Sequence, residues 1–199
     1  MEIELKFALS APVTPAQIEA LPWSPYRLAQ PHTLDQLDTF FDTADRALSE
    51  TKHAVRVRRA NEQLLVTLKG PGTVVAGVHS RPEWEVPATS EQPEQWPDAI
   101  RDQLRALIGE QPLEPLFTVQ NLRRAWVLLR DDQPLGEVAL DEGAIIVGER
   151  RLPMHELEIE LKGGAASDLD ALATMIVQQL PAQPEDRSKF ARGFALLST

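Results

Sequence analysis

Past its first methionine the chain opens with EIELKF, and an extended backbone sends Glu2, Glu4 and Lys6 to one side and Ile3, Leu5 and Phe7 to the other. Two carboxylates and an ammonium on one face suit a definite chemistry. Carboxylate oxygens hold a hard divalent cation, and the ammonium holds an anion such as phosphate. The division recurs along the chain. AVRVRRA sets Arg56 and Arg58 against Val55 and Val57, and QLLVTLK sets Thr67 and Lys69 against Val66 and Leu68. HSRPEWEV sets His79, Arg81, Glu83 and Glu85 against Trp84 and Val86. GEVALD opposes Glu137 and Asp141 to Val138 and Leu140, and HELEIELK opposes Glu156, Glu158 and Glu160 to Leu157, Ile159 and Leu161.

Alternation alone is the default for an antiparallel strand with one wet face. The make-up of these faces is not. A solvated face mixes Thr, Ser, Gln and Lys, whereas these are dense in carboxylates and guanidinium groups. Three glutamates at spacing two also repel one another unless cations lie among them. The pattern fits an inverted barrel, with charges lining the lumen and the apolar faces packed under outer helices.

The elements that must position these residues can be read from periodicity and turn chemistry. Strands are expected at 2–9, 34–43, 54–60, 63–70, 79–86, 115–130, 135–143, 144–149 and 155–162, with RDDQP and DEG as turns between the later ones. A short helix follows Thr14, a capping residue, with Pro15 in its first turn. A second helix carries Ile100, Leu104, Leu107 and Ile108 on one face and stops at Gly109. A third, capped by Ser167, carries Leu169, Leu172, Ile176 and Leu180, and a basic segment containing SKFARG ends the chain. Residues 87–97 form a proline-rich loop. Some eight evenly spread strands without βαβ alternation point to an antiparallel sheet or barrel, and the whole of 1–199 reads as one domain without internal repeats.

Composition removes several classes. The formal net charge of −10 argues against sequence-independent nucleic-acid binding, which rests on excess Lys and Arg. Without cysteine, neither a disulfide framework nor a thiolate zinc site can form. No apolar run reaches the roughly 18–20 residues of a membrane span, and acidic Glu2 and Glu4 occupy the place of a signal peptide's basic region, so a cytoplasmic protein that does not engage membranes is expected. GPGTVVAG lacks the pattern of a nucleotide-binding loop. His79 reads as a hydrogen-bonded bystander, Asp42 as a turn-former, and Trp23, Trp96 and Trp126 as packing residues.

Taken in order, EIELKF, FFDTADRAL, VRVRR, VTLKG, RPEWEV, NLRRAW, EVALDEG, ELEIELK and SKFARG resemble the CYTH superfamily over almost the whole chain, with the bacterial inorganic triphosphatase branch nearest. The resemblance implies an α+β fold built on a closed antiparallel eight-stranded β-barrel, a triphosphate tunnel with a charged lumen and outer helices. It implies that Lys6, Arg56, Arg58, Lys69, Arg81, Arg123 and Lys189 grip triphosphate oxygens, with Arg192 reinforcing the phosphate end. Arg123 is taken over Arg124 because it lies three residues before Trp126. Glu2, Glu4, Asp141 and two of Glu156, Glu158 and Glu160 are implied as ligands for Mg²⁺ or Mn²⁺. Period two leaves that pair open, with Glu158 and Glu160 preferred. The expected activity is metal-dependent hydrolysis of inorganic triphosphate, with Lys6 in the catalytic set and Glu4 or Glu160 as acceptor of the water's proton. The alternatives are a class IV-type adenylyl cyclase, a thiamine triphosphatase, and a polyphosphate- or nucleotide-binding module without turnover.

Overall fold

The computed structural model describes residues 2–163 and 166–197, and at Glu2, Ala166 and Ser167 the backbone only. The Glu2 carboxylate and the expected Ser167 cap therefore lie outside the described residues. The strands are β1 (Glu2–Leu9), β2 (Tyr26–Asp42), β3 (Ala54–Ala60), β4 (Gln63–Lys69), β5 (Thr73–Val75), β6 (Val78–Arg81), β7 (Glu83–Ala88), β8 (Glu114–Arg130), β9 (Gln133–Val147), β10 (Arg150–Leu161) and β11 (Ala182–Pro184). The helices are α1 (Pro15–Glu19), α2 (Ala47–Glu50), α3 (Asp98–Ile108), α4 (Ala166–Gln179) and α5 (Lys189–Leu197). Thr14 and Gln17 form a reciprocal capping box on α1. Gly109 ends α3 with φ 65°, a conformation that glycine adopts without penalty. Among the described residues no helix is long and apolar enough to cross a membrane.

All eleven strands join one antiparallel sheet in the order β5-β6-β1-β10-β9-β8-β2-β3-β4-β7, with β11 on β1. This corrects the expected closed, eight-stranded barrel. The hydrogen-bonded path has two ends, β5 on β6 and β7 on β4. β6 and β7 are consecutive in the chain and separated only by Pro82, which has no N–H to carry a ladder across. Gly70 N donates to the Pro82 carbonyl at 3.0 Å, so β4 is tied to that junction. The covalent chain, not a ladder, spans the seam.

A second correction concerns DEG. Asp141, Glu142 and Gly143 do not turn but run through the middle of β9, opposite Glu156, His155 and Met154 of β10. Gly143 serves close approach: a Cβ there would lie 1.9 Å from the Gln120 carbonyl oxygen of β8.

The apolar faces pack as period two requires. Leu5, Phe7, Trp126, Val138, Leu157 and Ile159 form one core with Ile18 of α1 and Leu169, Leu172 and Ile176 of α4. Val55, Val57, Val66 and Leu68 form another with Leu48 of α2 and Ile100, Leu104 and Ile108 of α3. The third cluster joins Phe40, Phe117, Val119 and Ile145, with Phe190 and Leu196 of α5 packed against it. Phe40 and Phe190 also line the cavity described below, so α5 covers part of the sheet's charged side. Burying each such side chain is worth about 1.5–3 kcal/mol, which makes the polar face the dependent variable: it points wherever the apolar face does not.

Candidate functional site

The curled sheet encloses a cavity of about 530 Å³, lined from β1, β2, β3, β4, β6, β7, β8, β9, β10 and α5. Register organises the β1-β10-β9 side into rows. Glu4 of β1 pairs with Glu160 of β10, which pairs with Glu137 of β9, and all three line the cavity. In the next row Lys6 faces Glu158, which faces Ala139. In the next, Glu156 faces Asp141, which faces Arg123 of β8. Arg56 and Arg58 of β3, Thr67 and Lys69 of β4, and Glu83 and Glu85 of β7 line the rest of the wall with Arg81 of β6.

Asp141, Glu156 and Glu158 bring one oxygen each within 4.8 Å of one another in a fully buried cluster. Cations from three elements already converge on it. Arg123 grips Asp141 with two hydrogen bonds of 2.8 and 2.7 Å and also donates to Glu158. Lys189 Nζ lies 2.9 Å from Asp141, 3.0 Å from Glu156 and 2.6 Å from Glu158. Arg192 donates to Glu156, and Lys6 Nζ lies 3.2 Å from Glu158. Burial works against the Asp141 and Glu158 carboxylates. Arg123 and Lys189 outweigh it at Asp141, as Lys189 and Lys6 do at Glu158, and both groups titrate well below the usual carboxylate range. Burial likewise opposes the Lys189 ammonium, and the same three carboxylates push its pKa well up. Lys189 and Arg192 reach this cluster because α5 lies close on β8: a Cβ at Gly193 would fall 2.3 Å from the Phe117 ring.

The upper row differs. Glu4 Oε1 is buried and lies 3.2 Å from Lys6 Nζ and 3.6 Å from Arg81 Nη2, yet accepts no well-aligned hydrogen bond. Three carboxylates opposite one another across adjacent strands are the hard-oxygen chemistry that Mg²⁺ and Mn²⁺ take, while the described carboxylates whose oxygens lie within 4.8 Å of one another are those of Asp141, Glu156 and Glu158. The residues therefore fit the implied ion.

Of the residues singled out by sequence, Glu4, Lys6, Arg56, Arg58, Lys69, Arg81, Arg123, Glu158, Glu160 and Lys189 line the cavity together. Asp141 and Glu156 lie beneath it, and Arg192 is turned to Glu156 rather than to the open space. Arg124 points out, to a surface pair with Glu142 at 3.4 Å. His79 is buried, with Nε2 2.9 Å from the Glu185 carbonyl oxygen, and burial lowers its pKa. Asp42 accepts from the backbone of Thr43, Leu48 and Ser49, holding the turn into α2. Sequence reasoning passed over Asp38, which is 2% exposed and bonded to Arg56 and Arg58, and left Glu137 and Lys162 without a role. Period two puts Asp38 on the same face as Gln36 and Phe40, which the structure shows lining the cavity, and its partners emerge only from the β2–β3 register.

A curled antiparallel sheet whose inner face sets cationic side chains against carboxylate rows defines the class of protein to which sequence and structural similarity also point. The chain belongs to the CYTH family, whose domain matches residues 1–194. It is 32% identical over 200 residues to the inorganic triphosphatase of Haemophilus influenzae, and the match covers 98% of this chain and 54% of that protein. The chain thus spans about half the length of the curated relative it matches. Its fold is similar to that of a Hippeastrum protein provisionally named an adenylyl cyclase and described with a dominant triphosphatase activity (TM-score 0.68, 21% identity, 98% of this chain and 96% of that one). It is also similar to a Pyrococcus horikoshii protein (TM-score 0.63, 19% identity, all of both chains).

Proposed function

We propose that the chain hydrolyses inorganic triphosphate to diphosphate and phosphate with the help of a divalent cation. The observation that supports this most is the facing of two charge types across one cavity: Arg56, Arg58, Lys69, Arg81, Arg123, Lys6 and Lys189 for phosphate oxygens, and the Glu4–Glu160–Glu137 row for metal. Bound there, Mg²⁺ or Mn²⁺ neutralises phosphate charge and orients the phosphate chain. The guanidinium and ammonium groups stabilise charge on the transferred phosphoryl group and on the departing diphosphate, which is most of what phosphoryl transfer asks of a protein. Asp141, Glu156 and Glu158 contribute by holding Arg123, Lys189 and Lys6 in place.

The cavity wall favours a bare phosphate chain over an organic triphosphate. The aromatic side chains among its described residues are Phe40 and Phe190, which are engaged with each other at 5.7 Å between ring centroids and both with Phe117. Phosphate release from tripolyphosphate, ATP and thiamine triphosphate, each with and without Mg²⁺, tests the proposal. Tripolyphosphate should give the highest kcat/KM, and equal or faster turnover of ATP would overturn the substrate assignment.

A further inference from the structure

We propose that Asp38 is a positioning residue that locks Arg56 and Arg58 into one preassembled anion-binding unit; this rests on the reading that the cavity binds triphosphate. Asp38 does not line the cavity and is 2% exposed, whereas both arginines line it. Its carboxylate lies behind them. Arg58 donates from Nε to Oδ1 at 2.7 Å and from Nη2 to Oδ2 at 2.8 Å, the two-point fork that fixes a guanidinium plane. Arg56 donates from Nη1 to the same Oδ2 at 3.1 Å. Three N–H groups are thus turned back to Asp38, and the others on the two guanidiniums are left for a ligand. The buried Arg56 Nε has no hydrogen-bond partner.

The arrangement follows from register. Asp38 is the direct cross-strand partner of Arg58, and Arg56 faces Phe40 one step along the same face. Two guanidiniums at spacing two repel one another, and long side chains lose much rotamer freedom when fixed. A carboxylate shared between them removes both obstacles before any ligand arrives, while leaving the trio with one net positive charge.

Positioning and charge make opposite demands, and this separates the proposal from a merely structural role. Asp38→Asn keeps the size of the side chain but frees the guanidiniums and raises the local charge by one. Expected are a kcat for tripolyphosphate lower by about 10- to 100-fold, as misplacement of binding groups produces, and a KM that does not rise. A purely structural Asp38 would instead lower Tm and leave both constants of the folded enzyme unchanged, which would overturn the assignment. Asp38→Glu keeps the buried charge, and so the fold, but displaces the fork by one methylene. Its kcat should also fall, and wild-type kcat in this variant would equally overturn the proposal. Arg59→Ala, on the exposed face of β3 in a surface pair with Glu91, should match wild type. Calorimetric binding of tripolyphosphate and of sulfate in EDTA gives a readout without turnover. The preference for tripolyphosphate over sulfate should fall at least about threefold in Asp38→Asn, since mobile guanidiniums match any anion. An unchanged preference refutes positioning. A wild type that binds tripolyphosphate without hydrolysing it refutes the triphosphatase reading alone, and one that binds neither anion refutes both.

Discussion

Two carboxylate environments coexist within one cavity, and single substitutions should tell them apart. Glu4→Gln removes one charge from the Glu4–Glu160–Glu137 row while preserving shape, so the fold should persist and tripolyphosphate hydrolysis should fall by orders of magnitude. Arg123→Ala acts on the other environment. It strips the two-point partner from buried Asp141 and should cost about 3–5 kcal/mol of stability in addition to activity, because uncompensated charges are left behind. Its neighbour Arg124, held only in an exposed pair, should tolerate alanine within about 0.5 kcal/mol. Denaturant titrations paired with phosphate-release rates decide both comparisons; a crippled Arg124→Ala beside a healthy Arg123→Ala would contradict the observed register. Asp38 adds a pH signature. Burial opposes its carboxylate, but Arg58 and then Arg56 lower its pKa from 3.8 to about 2. A depressed pKa contributes stability that is present above the unfolded value and lost as pH falls through the folded one. At about 1.4 kcal/mol per pH unit this amounts to roughly 2 kcal/mol, lost between about pH 4 and pH 2. The stability gap between wild type and Asp38→Asn should therefore narrow over that window, and a gap constant down to pH 2 would contradict the ion-pair assignment.

At the scale of elements, β1 and α5 carry opposite lessons. The outer face of β1 is structural: Leu5 is fully buried, and Leu5→Ala should cost about 2–5 kcal/mol while the folded fraction keeps its activity. In α5 packing and function are joined. Enlarging Gly193 drives a side chain into Phe117, and any retreat of the helix withdraws Lys189 and Arg192 from Asp141, Glu156 and Glu158. Gly193→Val should thus lower both Tm and kcat, with overpacking alone costing about 1–3 kcal/mol. Wild-type turnover in that variant would mean that the position of α5 does not govern the site.

For the molecule as a whole, the excess of acidic residues is reconciled with an anionic ligand by segregation. Net charge is −10, yet the cationic side chains that line the cavity face inward from β1, β3, β4, β6, β8 and α5 and from Lys162 just after β10. A divalent ion that binds the folded state should raise thermal stability, because it relieves repulsion along the glutamate row and binds the native form preferentially. Adding Mg²⁺ to EDTA-treated protein should therefore raise Tm and restore hydrolysis, and a Tm insensitive to Mg²⁺ would argue against the Glu4–Glu160–Glu137 row as its site.

The sequence by itself determined which side of each strand would be charged, because burial of Leu5, Val57, Leu157 and Ile159 leaves their period-two neighbours no other direction. It also determined the capping of α1 and the end of α3, since each depends on neighbours a few residues apart, whereas the choice of Arg123 over Arg124 came from the resemblance, through the spacing to Trp126. What the tertiary structure alone decided was partnership. DEG reads as a turn in one dimension, and only the approach of Gln120 shows why Gly143 must be small within a continuous strand. Asp38 and Glu137 are ordinary acidic residues until register sets one against Arg58 and the other in line with Glu4 and Glu160. The three glutamates of ELEIE are equivalent by spacing. The docking of α5 gives Glu156 to Arg192 and both Glu156 and Glu158 to Lys189, and leaves Glu160 on the cavity wall, because ionic contacts fall off over a few ångströms and those distances are set by segments more than thirty residues apart.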